Sequence, residues 1–101
     1  MKLLTTVAAL CLLAANSAAR AADPNLGRNL AATCANCHGT NGNAVAGSGM
    51  DSLAGMAKTQ TLQKLADYKS GAKPATIMHQ IAKGYTDEQL DLIATYFAAQ
   101  K

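Results

Sequence analysis

Aromatic side chains are scarce in this sequence: 101 residues include no tryptophan, one phenylalanine and three tyrosines. A chain of this length holds one domain, and without aromatic bulk a core built from side chains alone is marginal. Small domains commonly make up the deficit with disulfides, a metal or a cofactor. No basic cluster is interleaved with aromatics, which argues against a nucleic-acid partner. No stretch alternates apolar and polar residues as a strand does, and there is no internal repeat. No apolar run reaches the roughly 20 residues that a membrane-spanning helix needs.

What is present begins with an export signal. Lys2 is followed by an almost wholly apolar run, Leu3 to Leu13, and then by small residues up to Ala22. Charge, apolar centre and small-residue cleavage site follow in the order of a secretory signal peptide. Ala19-Arg20-Ala21 fits the small-x-small rule, so residues 1–21 read as a cleaved signal, with a cut after Ala22 the next choice. Cys11 would leave with it. The bulky Leu10 before Cys11 argues against a lipoprotein cysteine. The mature domain is then residues 22–101, with no membrane span. Losing Lys2 and Arg20 leaves seven cations against six acids, a net charge of +1 where the whole chain has +3.

Three main helices are predicted in the mature part. The first runs from about Pro24 to Ala35, with Asp23 as cap and Pro24 at the first helical position. Leu26 and Leu30 share a face, and Gly27 leaves room for another helix. The second runs from about Thr61 to Ser70, with Gly71 placed to end it. The third opens on a capping box, Thr86 to Gln89. Leu90, Ile93, Ala94 and Phe97 then fall on one face at helical spacing. A shorter helix is predicted from Ile77 to Lys83, stopped by Gly84. Residues 39–55 are glycine-rich and read as loop. The class is all-α.

Cys34-Ala35-Asn36-Cys37-His38 carries the chemistry. Cys-x-x-Cys-His is the pattern of covalent c-type haem attachment. Two thiols three positions apart can add across the vinyl groups on one edge of the ring, and the next residue, His38, is delivered beneath the iron. A zinc site needs four ligands, and the mature chain offers only Cys34, Cys37, His38 and His79. A thioredoxin-like pair belongs in a βαβ setting, which is missing. A structural disulfide explains neither the adjacent histidine nor the glycines after it. One haem with its iron is therefore the implied cofactor, and it would supply the missing core bulk.

The sixth iron ligand separates carrier from enzyme. Met/His ligation closes the iron to outside ligands and raises its potential. An open position would suit a haem enzyme or gas sensor, but no distal His/Arg pair is evident. Met50, Met56, Met78 and His79 are the candidates. Met78 lies forty residues beyond His38, enough chain to reach the far face of the ring. His79 reads as a surface residue pointing away. From Lys58 to Lys83 five lysines face a single acid, Asp67. They make either a positive rim for steering an acidic partner or an ordinary solvated face.

The haem motif, the late methionine and the aromatic-bearing last helix together resemble class I cytochromes c. The tail from Ser70 to Thr86 and the segment Leu92 to Phe97 are more specifically similar to the cytochrome subunits of flavocytochrome c sulfide dehydrogenases and to related small bacterial cytochromes. The resemblance implies three main helices and loops around one haem. It implies Cys34 and Cys37 as thioether sites, His38 as proximal ligand and Met78 as distal ligand, with Met56 next in line. It also implies that Gly27 packs on the last helix near Tyr96 and Phe97. The implied role is single-electron transfer in the periplasm to or from a redox protein, either a flavoprotein dehydrogenase or, for a free carrier, an oxidase or reductase. Many members have a proline after the motif whose carbonyl holds the proximal histidine. None occurs here before Pro74, so that carbonyl is expected within Asn43 to Gly49.

Overall fold

The last helix, α5 (Asp87–Ala98), opens on the capping box read from the sequence: Gln89 N–H donates to the Thr86 hydroxyl at 3.1 Å, and Thr86 N–H donates to Gln89 Oε1 at 2.9 Å. Its buried residues are Leu90, Ile93, Ala94 and Phe97, the stripe that helical periodicity marks out. The computed structural model describes residues 23–101, so the signal segment, its cleavage site and Cys11 lie outside the described residues. No strand occurs among the described residues, and the fold is all-α.

The first helical segment departs from its predicted bounds. Helix α1 is Leu26–Ala31; a 3-10 turn, Ala32–Cys34, follows, and α2 is Ala35–His38. Backbone angles stay right-handed through Ala31, Ala32, Cys34 and Ala35, so the helical path runs on through the haem motif instead of stopping at Ala35. Pro24 sits in the turn leading in, not at the first helical position. Asp23 is not the cap either: the N-cap is Asn25, without a side-chain cap bond, and Asp23 Oδ1 instead accepts from Asn25 N–H at 2.9 Å in the preceding turn.

Helix α3 (Lys58–Ser70) starts three residues earlier than predicted and ends at Gly71, which takes the left-handed conformation as its C-cap. Helix α4 (Met78–Lys83) is the short helix expected before Gly84. α1 crosses α5, α3 packs on α5, and α4 packs on α3. At the first crossing a Cβ on Gly27 would stand 3.0 Å from the Leu92 carbonyl oxygen and 3.7 Å from Tyr96 Cβ. The implied packing of Gly27 is thus present, one turn back from Phe97.

The core is small. Ala31, Leu90, Ile93 and Phe97 form its buried centre, with Leu30, Cys34, Leu53, Leu62, Leu65, Tyr85 and Tyr96 packed around it. Phe97 is its one large, fully buried side chain among the described residues. Leu26, Ile77, Ile81 and Leu92 stay exposed, so the sequence overstates how many large apolar residues the chain buries against itself.

Candidate functional site

Cys34 ends the 3-10 turn and is half-buried against the core, whereas Cys37, on α2, is exposed. Both thiols are free. Burial pushes the Cys34 thiol above its ordinary value, opposed by hydrogen bonds from the Thr33 side chain and the Cys34 backbone, while Cys37 adds to the rise. His38 closes α2. Its Nδ1–H donates to the Asp51 carbonyl at 2.7 Å, which fixes the ring and leaves Nε2 available as a ligand. The carbonyl partner therefore lies two residues beyond the predicted window of Asn43 to Gly49.

The chain reaches that arrangement through a tight return. Gly39 follows His38 at φ +82, and a Cβ there would lie 1.9 Å from the Asn43 carbonyl oxygen, so only glycine fits. The Gly42 carbonyl accepts from Leu53 N–H at 2.7 Å and from Ala54 N–H at 3.1 Å. Ser52 Oγ accepts from Ala44 N–H at 3.1 Å. Gly55 N–H reaches the Phe97 carbonyl at 2.9 Å. These bonds draw residues 43–55 back over the motif and bring the Asp51 carbonyl to His38.

Two tyrosines bracket the motif. The Tyr96 hydroxyl of α5 donates to Asn41 Oδ1 just after it. Tyr85, between α4 and α5, shares a 2.8 Å hydrogen bond with the Thr33 hydroxyl just before it. Neither Tyr85 nor Thr33 stands out in the sequence, because a hydroxyl pair 52 residues apart leaves no local pattern.

Met78 is half-buried at the start of α4. It comes from the opposite half of the chain to His38: α4 packs on α3, while α2 packs on the turns that flank it. Met56 is half-buried in the loop before α3, and Met50 is exposed beside Asp51. His79 is half-buried, with Nδ1 sealed from solvent and without a hydrogen-bond partner, so it does not point away from the protein as the sequence suggested. Three of the five lysines are engaged. Lys58 pairs with Asp91 at 2.9 Å, Lys69 lies 3.4 Å from Asp87, and Lys73 sits over the Tyr68 ring. They do not form the uniform free rim that their number suggests.

The donor set suits a haem. Two free thiols stand on consecutive turns, an imidazole is oriented with one nitrogen to spare, and a thioether opens another helix. Exposed apolar side chains flank these groups, Met50 beside the Asp51 that holds His38, and Ile77 and Ile81 around Met78, as an apolar ring requires. A family model for cytochrome c matches residues 25–101. The chain belongs to the cytochrome c family. It is 39% identical over 84 residues to the cytochrome subunit of sulfide dehydrogenase from Chlorobaculum tepidum, covering 83% of this chain and 74% of that one. It is 38% identical over 74 residues to a thiosulfate dehydrogenase electron acceptor from Stutzerimonas stutzeri, covering 72% of this chain and 34% of that one. It is 36% identical over 81 residues to cytochrome c4 of Pseudomonas aeruginosa, covering 80% and 40% respectively. The chain thus spans well under half of the latter two relatives. As a cytochrome c it takes covalently attached haem c with iron, and its role is electron transfer.

Proposed function

We propose that this cytochrome is an exported, periplasmic single-electron carrier, with its haem bonded to Cys34 and Cys37 and its iron held by His38 and Met78. The observation that carries this reading is the 2.7 Å bond from His38 Nδ1 to the Asp51 carbonyl. It belongs to the residue directly after Cys-x-x-Cys and leaves Nε2 as the metal-binding nitrogen. When bound, the haem supplies a one-electron couple. The protein's part is to hold the two axial ligands, exclude water from the ring and present an edge to a partner. A Met/His pair makes the iron a carrier and not a site for outside ligands.

The visible spectrum of the ferric protein tests this. A band at about 695 nm is the expected sign of methionine on iron. Met78→Ala removes the band and Met56→Ala leaves it. Ready CO binding by the unmutated ferrous protein without that band would point instead to a haem enzyme or gas sensor.

For the partner we favour a flavoprotein that oxidises sulfide. The support is the similarity to a sulfide dehydrogenase cytochrome subunit along three quarters of that subunit's length. Sulfide then reduces the ferric protein rapidly only when the flavoprotein is present. Equal rates with and without it would leave the free-carrier reading.

A further inference from the structure

Tyr85 ties the packed pair α3 and α4 to the turn that carries Cys34. Its hydroxyl meets the Thr33 hydroxyl, one residue before Cys34, at 2.8 Å. Its carbonyl accepts from Lys69 Nζ of α3 at 2.9 Å. Its N–H closes onto the Ala82 carbonyl of α4 at 3.4 Å, beside the 3.0 Å bond from Gly84 N–H to the Ile81 carbonyl. The ring packs half-buried against the core. Helix α4 is only six residues long and begins at Met78, so whatever fixes its C-terminal end largely fixes the position of Met78.

We propose that the Tyr85–Thr33 hydrogen bond is a strut between the haem-attachment turn and the Met78 helix, and that Tyr85 is a positioning residue for the distal ligand. The inference rests on Met78 being that ligand. Without the bond, α4 keeps its seat on α3 through Lys69 but loses its tie to the turn that ends at Cys34. The segment bearing Met78 can then swing from the ring at lower cost, while the fold persists.

The test is an imidazole titration of the ferric holoprotein at 25 °C, followed in the Soret region. Imidazole must displace the distal ligand, so its apparent affinity reports how firmly Met78 is held. One neutral hydrogen bond lost corresponds to a rise in apparent imidazole affinity of roughly two- to tenfold. Tyr85→Phe, which keeps the ring and its packing, should show that rise. Thr33→Val should show the same rise, the double variant no more than either single one, and Thr33→Ser, which retains a hydroxyl, wild-type affinity. Wild-type affinity in Tyr85→Phe would overturn the strut, and so would additive effects in the double variant. Met78→Ala separates the two ideas. A large rise there with no rise in Tyr85→Phe sinks the strut alone. No rise in Met78→Ala sinks the ligand assignment on which the strut depends.

Discussion

Replacing Gly27 by alanine sets two effects of known sign against each other. Gly27 is the second residue of α1, and alanine is favoured over glycine by up to about 1 kcal/mol within a helix, less at a first turn. Against this, the new Cβ would stand 3.0 Å from the Leu92 carbonyl oxygen and 3.7 Å from Tyr96 Cβ. The nearer atom is backbone in the middle of α5, so it cannot turn aside as a side-chain tip can. Relief requires α1 to back away by a few tenths of an ångström. That motion is resisted at both ends of the motif, because α1 runs directly into the Cys34 turn and Tyr96 is bonded to Asn41. Overpacking of this kind costs about 1–3 kcal/mol, so the clash wins and the net loss is about 1 kcal/mol. In a domain of this size that lowers Tm by about 4–8 °C. Asn29→Ala is the matched control: it lies exposed on the same helix and gains propensity without meeting α5. Thermal melts of the holoprotein by circular dichroism should place Gly27→Ala below the wild type and Asn29→Ala at or above it. A Gly27→Ala protein as stable as the wild type would refute the close-approach argument.

Phe97→Ala should be far more damaging than any change on the surface. The ring is 2% exposed and stands where a Cβ on Gly42 would come within 2.8 Å of it. Losing such a ring costs about 3–5 kcal/mol, so Tm should fall by more than about 10 °C, whereas a fall of only a few degrees would mean that the core does not depend on it. In the haem-free chain, under conditions where circular dichroism shows it folded, iodoacetamide should label Cys37 faster than Cys34 near pH 8, and urea should erase the difference. The sign follows from burial, which raises the Cys34 thiol above its ordinary value of 9.0. The folded value then exceeds the unfolded one, so this group's stabilising contribution is full below pH 9 and is lost as pH climbs through the folded value. Equal labelling rates by mass spectrometry at pH 8 would contradict that environment.

What could be read in the sequence, and what could not, divides by the range of the interaction. The α5 stripe and its capping box are visible because both partners in each contact lie within one or two turns, and the structure reproduces them residue for residue. The thiols and imidazole of the motif are visible because their chemistry belongs to the side chain and their spacing is fixed along five residues. The Asp51 carbonyl that orients His38 left no trace, since every residue type offers the same carbonyl. Its position depends on the Gly42 carbonyl recapturing Leu53 and Ala54. Tyr85 and Thr33 lie 52 residues apart and meet only because α4 seats on α3. The lysines left two readings open for a related reason: counted along the chain they make a positive tract, but Asp87 and Asp91 reach two of them from α5. The identity of the motif's histidine is thus written locally, while its orientation is written in a long-range bond to a backbone carbonyl. Two chains with the same haem motif can therefore orient its histidine through different backbone partners, and the contacts that frame the motif lie at positions such as Thr33, Asn41, Tyr85 and Tyr96, which no motif search selects.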